Sequence, residues 1–159
     1  MLENNKKNKP LFREITPETI AKRINPVLTK YPILVCYLFG SYADGTAYAN
    51  SDIDLAILMK DFDKKHPNYQ LMTDIREDFH DALSDLVNKV DVVFLQATEN
   101  IPLQFKIISK GKVLFSADDD YRTDFEDLVV KYHMDLGPFL EKSYREMIED
   151  IREGNFIVR

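Results

Sequence analysis

The chain has little of what would announce a disulfide framework, a membrane span or a polyanion partner. It has no tryptophan, one cysteine and five glycines in 159 residues. A lone cysteine cannot close an internal disulfide. Cys36 lies inside the apolar run Ile33-Leu34-Val35-Cys36-Tyr37-Leu38-Phe39. A small buried hydrophobe in a reducing cytoplasm is its expected role there, not a reactive thiol. That run is the longest apolar stretch and falls well short of the roughly 20 residues that cross a bilayer. Residues 1–10 are polar and lack the apolar core of a signal peptide, so the reading is a cytoplasmic protein with no membrane partner. Excess positive charge is missing too. A net charge of −6 weighs against direct nucleic-acid binding, which needs many Lys and Arg facing phosphates, and leans toward protein or small-molecule partners.

What is present is ordinary for a globular protein: 45% hydrophobic and 30% charged residues, enough chain for one core. Residues 1–15 read as a polar lead-in and 16–159 as a single domain. Thr16-Pro17-Glu18-Thr19 has the form of a helix N-cap followed by proline and an acid in the first turn. Ile20, Ile24, Val27 and Leu28 recur at helical spacing behind it, with a kink or a break expected near Asn25-Pro26. The run 33–39 is a strand apolar on both faces, as a covered sheet strand should be. A loop with a short helix follows over 41–51, then a strand over 52–59. Leu71, Met72, Ile75, Phe79, Leu83 and Leu86 place a helix between 67 and 86. Val90–Leu95 is a short β-branched strand. A helix from Ile101 and a brief edge strand at 113–115 complete the sheet region. From 118 to 152 one apolar stripe predicts a long C-terminal helical segment, its aromatic residues Tyr132, Phe139 and Tyr144 read as core, with one flank of the stripe free to dock a protein partner. Gly137-Pro138 is expected to bend or split it. The fold class is α/β or α+β, a small mixed sheet flanked by helices.

The chemistry concentrates around one stretch. The strand 33–39 runs straight into Gly40-Ser41, and ten residues later comes Asp52-Ile53-Asp54, followed by the apolar run Leu55-Ala56-Ile57-Leu58. Alternation along a strand turns Asp52 and Asp54 to one face, where two carboxylates about 7 Å apart suit a hard divalent cation better than a core. The Gly-Ser turn frees backbone N–H groups to seat a phosphate. Asp91 stands in an otherwise Val-Val-Phe-Leu strand, where an unpaired charge is costly, and is the candidate third carboxylate. Asp61 and Asp63 also alternate but belong to a charged loop. His66, His80 and His133 have no metal-ligand spacing. Either Asp-x-Asp or Gly-Ser alone is a weak signal; their conjunction with the strands and with Asp91 carries the argument.

That conjunction resembles the signature of the polymerase-β-like nucleotidyltransferase superfamily. The fuller string Gly-Ser-Tyr-Ala-Asp-Gly…Asn-Ser-Asp-Ile-Asp-Leu-Ala-Ile-Leu is similar to that of the minimal nucleotidyltransferase (MNT) antitoxins of HEPN/MNT toxin–antitoxin systems. The tail, with Tyr132, Leu136-Gly137-Pro138-Phe139-Leu140 and Arg145-Glu146-Met147, also resembles their C-terminal helix. The resemblance implies an adenylyltransferase that moves AMP from ATP to a tyrosine hydroxyl of a HEPN ribonuclease toxin, with which it forms a hetero-oligomer. It implies two Mg²⁺ ions held by Asp52, Asp54 and Asp91, Asp91 helping to deprotonate the incoming hydroxyl. Gly40 and Ser41 would hold the β- and γ-phosphates. One departure stands out: many relatives carry Arg or Lys where this chain has Asp44, and a carboxylate facing the triphosphate would repel it. Two other functions fit the residues: a non-catalytic antitoxin acting by binding alone, and a small-molecule nucleotidyltransferase of the antibiotic-modifying kind.

Overall fold

A computed structural model describes residues 14–154. Nearly all of the expected polar lead-in thus lies outside the described residues, although Ile15, counted with it, is buried in the core. The elements run α1 (Pro17–Lys30), β1 (Ile33–Phe39), α2 (Ser41–Asp44), β2 (Ile53–Met59), α3 (Tyr69–Leu83), β3 (Val90–Phe94), α4 (Ile101–Lys110), β4 (Lys112–Ser116) and α5 (Asp119–Arg152). The strands form one sheet in the order β3-β2-β1-β4. β1 pairs antiparallel with β2 and β4, and β2 pairs parallel with β3 across the α3 connection.

Alternation sorts the strand side chains into two layers. Cys36, Leu38, Ile53, Leu55, Ile57, Val92 and Phe94 pack against α1 and α3 through Ile20, Ile24, Ile75 and Phe79. Val35, Tyr37, Ala56, Leu58 and Leu95 face the other way, onto Ile107 of α4 and Phe125 of α5. With helices on both sides, β1 and β2 are buried almost throughout, which is why their sequence is a continuous apolar run.

The helix starts follow their capping residues. The side chains of Thr16, Asn68, Asn100 and Asp118 each accept a backbone N–H of the first turn. Asn68 thereby starts α3 at Tyr69, two residues later than expected, and Leu86 lies beyond the helix yet stays buried. Neither internal proline breaks its helix. α1 continues through Pro26, and α5 runs as one helix through Gly137-Pro138. In α1 the residues after the proline, Val27 and Leu28, are buried, and their packing holds the last turn together.

The larger correction concerns where α5 goes. Its first half is anchored: the Tyr37 hydroxyl donates to Glu126 Oε1 at 2.7 Å, Arg122 Nη1 donates to the same oxygen at 3.2 Å, and His133 stacks on Phe105 at 3.7 Å. Beyond Val129 the expected core residues are exposed, Phe139 and Tyr144 each to 65%. The reason is length. A 34-residue helix spans about 50 Å, whereas a seven-residue strand spans about 23 Å, so the sheet runs out before the helix does. Among the described residues no helix is long and apolar enough to cross a membrane.

Burial, together with the bond to Glu126, pushes the Tyr37 hydroxyl far above its usual range, so it stays a donor at any working pH. Tyr37→Phe removes the donor but leaves Glu126 its Arg122 partner, and the expected loss is about 1–2 kcal/mol. Urea denaturation of the two proteins measures it; a loss below a few tenths of a kcal/mol would mean that α5 is held by apolar contact alone.

Candidate active site

The site is built where β1 ends and β2 and β3 begin. In the sheet register Asp54 pairs with Phe39 on one side and with Asp91 on the other. Neighbouring paired residues lie roughly 5 Å apart, so the two aspartates sit side by side on one face. Asp52 precedes β2, whose first residue is Ile53, so the expected strand starts one residue late; alternation still turns Asp52 toward the face of Asp54.

Gly40 follows Phe39 with φ of 72°, a left-handed backbone that favours glycine. A Cβ at this position would overlap Asp54 Oδ2. The bend is therefore both a conformational requirement and a close approach of backbone to carboxylate. The Gly40 carbonyl accepts from the N–H of Ala43 (3.1 Å) and of Asp44 (3.0 Å), closing the single turn of α2. Tyr42 and Ala43 are buried and fix that turn to the domain. Ser41 and Tyr42 are its first residues, whose N–H groups have no acceptor within a helix. The turn thus presents backbone donors beside the carboxylates. Asp44 ends α2 on the exposed side, where water screens its charge.

Two residues that the sequence reading passed over complete the geometry. Ser51 is buried, and its hydroxyl accepts the Tyr48 N–H at 2.8 Å while its own N–H donates to the Tyr48 carbonyl at 3.0 Å. It braces the loop immediately before Asp52. Lys89 approaches Asp91 Oδ1 at 3.5 Å, and its carbonyl accepts the Ile53 N–H at 3.2 Å. Its sequence signal was the alternation Lys89-Val90-Asp91 beside Asp52-Ile53-Asp54, which acquires meaning only once the strands are in register.

Like charges dominate the electrostatics. Asp54 is pushed up to about 6, first by burial, then by the charges of Asp91 and Asp52 and by hydrogen bonding with Asp91; Lys89 acts in the opposite direction. Asp54 and Asp91 form the close pair and Asp52 acts through its charge alone. Among the described residues no three Asp, Glu, His or Cys side chains close a metal shell by themselves. Mg²⁺ does not require one: it commonly takes one or two carboxylates and completes its octahedron with water and substrate phosphate. All-oxygen donors, crowded and short of positive charge, fit such an ion. The histidines and the pair Asp61 and Asp63 do not join this group. His66 and Asp63 instead line a small pocket with Pro32 and Met59, at the far ends of β1 and β2.

The crowding has a measurable cost. The unfolded chain releases the Asp54 proton near 3.8, the folded protein near 6. Between those values the folded state binds more protons, so stability falls as pH rises, and the full penalty is present above the window. Asp54→Asn should therefore raise stability at about pH 7.5 by ~1–2 kcal/mol, after allowance for solvent screening, with the gain gone by about pH 4. Thermal melts of both proteins in metal-free buffer check this; a pH-independent gain would point to packing rather than charge.

The sequence pattern of the family described as polymerase beta, nucleotidyltransferase matches residues 22–120. The protein adenylyltransferase MntA of Shewanella oneidensis is 25% identical over 140 residues, 88% of this chain and 90% of the relative. A crystal structure of a toxin–antitoxin with AMP-PNP contains a chain 25% identical, with a TM-score of 0.60 over 83% of this chain and 98% of that one. A structure of tri-AMPylated Shewanella oneidensis HEPN toxin in complex with MNT antitoxin matches in fold, with a TM-score of 0.60, 21% identity, and coverage of 86% and 99%. The family match takes in β1, the Gly40-Ser41 turn and all three aspartates, and this chain belongs to the polymerase-β nucleotidyltransferase family.

Proposed function

We propose that this chain is an antitoxin that transfers AMP from ATP to a tyrosine hydroxyl of a HEPN ribonuclease toxin, with residues 16–159 acting as one unit. The observation that carries the reading is the convergence of Asp54 and Asp91 beside the Gly40 bend in a nucleotidyltransferase domain. Likeness to a protein adenylyltransferase over most of both chains supports the reaction. In it, the tyrosine oxygen attacks the α-phosphorus of ATP. A new P–O bond forms, the bond to the β-phosphate bridging oxygen breaks, and pyrophosphate leaves with the electron pair. Asp91 takes up the hydroxyl proton as the oxygen attacks, and the Gly40-Ser41 turn binds the β- and γ-phosphates. Asp52, Asp54 and Asp91 would hold Mg²⁺, which when bound neutralises the triphosphate and the developing charge. Asp44 is exposed at the end of α2, where water screens its charge, and the presence of all three carboxylates supports catalysis over binding alone.

The second half of α5 supports a protein partner. Met134, Phe139, Leu140, Tyr144, Ile148 and Ile151 are exposed along it, an apolar surface of the kind a stable partner covers. We assign it to the toxin, so that the modified protein is also the bound one.

Two outcomes are expected. With Mg²⁺, labelled ATP and the toxin, label moves to tyrosine, and the double substitution Asp52→Asn with Asp54→Asn abolishes transfer while leaving the circular dichroism unchanged; transfer by the double variant at the normal rate would refute the site. Phe139→Asp with Tyr144→Asp should weaken toxin binding at least about tenfold, since buried aromatic anchors carry most interface energy. Calorimetric titration reads the change, and unaltered affinity would place the toxin elsewhere.

A further inference from the structure

On the site face the two parallel strands present a four-cornered array. Asp54 lies beside Asp91 in the register, and continuing that register one residue before each strand sets Asp52 beside Lys89. The bond from the Ile53 N–H to the Lys89 carbonyl fixes this corner of the register. Three corners are carboxylates and the fourth is an ammonium. Among the described residues Lys89 is the cation whose ion pair falls on one of the three acids, Asp91 Oδ1 at 3.5 Å. Both partners keep roughly half their surface in water, so the pair is loose and easily exchanged. A lysine side chain is long enough to reach any corner of the array from its own or to point away from the sheet toward what lies above it.

We infer that Lys89 is a resident counter-ion which changes partner when substrate binds, a role that rests on the function proposed above. In the free protein its ammonium holds the Asp91 carboxylate and offsets the repulsion between Asp91 and Asp54. When a metal-bound triphosphate occupies the face, the Asp91 oxygens are engaged and the ammonium turns to the phosphate oxygens. Lys89 thus supplies, from the residue before β3, the positive charge that Asp44 cannot supply from α2. It competes with a bare divalent cation and cooperates with a nucleotide.

Those two effects have opposite signs, which a merely structural lysine would not produce. The test compares the wild-type protein, Lys89→Gln and Lys89→Arg, using Mn²⁺ alone and then a non-hydrolysable ATP analogue with Mg²⁺. Lys89→Gln should bind Mn²⁺ about threefold more tightly, having lost the competing cation, and the analogue about tenfold more weakly. Lys89→Arg should restore both values to near wild type. Parallel weakening of both ligands by Lys89→Gln, or no change in either, overturns the role of Lys89 while leaving the proposed function standing. Failure of the wild-type protein itself to bind the analogue overturns the proposed function and this role with it.

Discussion

Three carboxylates that repel one another at the end of a sheet are the constraint around which the rest of the molecule is arranged. Burial and the neighbouring charges raise the Asp54 carboxyl to about 6, a cost that a folded protein retains only where something else holds the strands in place. The holding is done by two apolar layers, one on each side of the sheet, in which Leu55, Ile57 and Leu58 of the strand bearing Asp54 are fully buried. β2 is locked immediately after its charged start. The glycine at the end of β1 completes the arrangement, because the space a side chain would fill is already taken by the Asp54 carboxylate.

Topology explains why these groups meet. A hairpin from β2 to β3 would have carried the start of β3 to the opposite end of the sheet, leaving Asp54 and Asp91 a strand length apart. The crossover through α3 instead makes the two strands parallel, so both begin at the same end and their aspartates fall into register. The antiparallel pairing of β1 with β2 brings the end of β1 to that same place. One crossover and one reversal are thus sufficient to assemble a turn with free N–H groups against a pair of acids, from segments some fifty residues apart in sequence.

Much of this was legible in the residues. The Gly-Ser spacing to Asp-x-Asp and the misplaced charge at Asp91 pointed to the site, because a carboxylate in an apolar strand needs a reason. Strand and helix positions followed from periodicity to within a few residues. Lys89 was not legible, since a lysine at the start of a strand is ordinary until the neighbouring strand is known. Nor was Ser51, whose brace depends on the shape of a loop. Gly137-Pro138, read as a bend or a split, does not split α5, because propensity weighs one position whereas the turns on both sides of it keep the helix. The reading of Tyr132, Phe139 and Tyr144 as core failed for a different reason. An apolar stripe tells that a helix face will be covered, but not whether the cover belongs to the same chain.

That last distinction bears on how binding and chemistry divide the work. The free chain is incomplete in two ways: among the described residues its site sets the one ammonium of Lys89 against three carboxylates, and its last helix leaves an apolar face exposed. The ionic deficit is relieved only while a metal and nucleotide are present, and it returns when pyrophosphate leaves, so it favours turnover. The apolar deficit is relieved for as long as a partner remains docked and does not depend on nucleotide. A chain that held its target through the site alone would release it at each turnover. On the function proposed above, holding the target through α5 would keep it at high effective concentration, so that a modest site affinity for the acceptor hydroxyl would be sufficient. The exposed arm is then not a defect of packing. On that function, it is the surface that would hold the target while the acidic site acts on it.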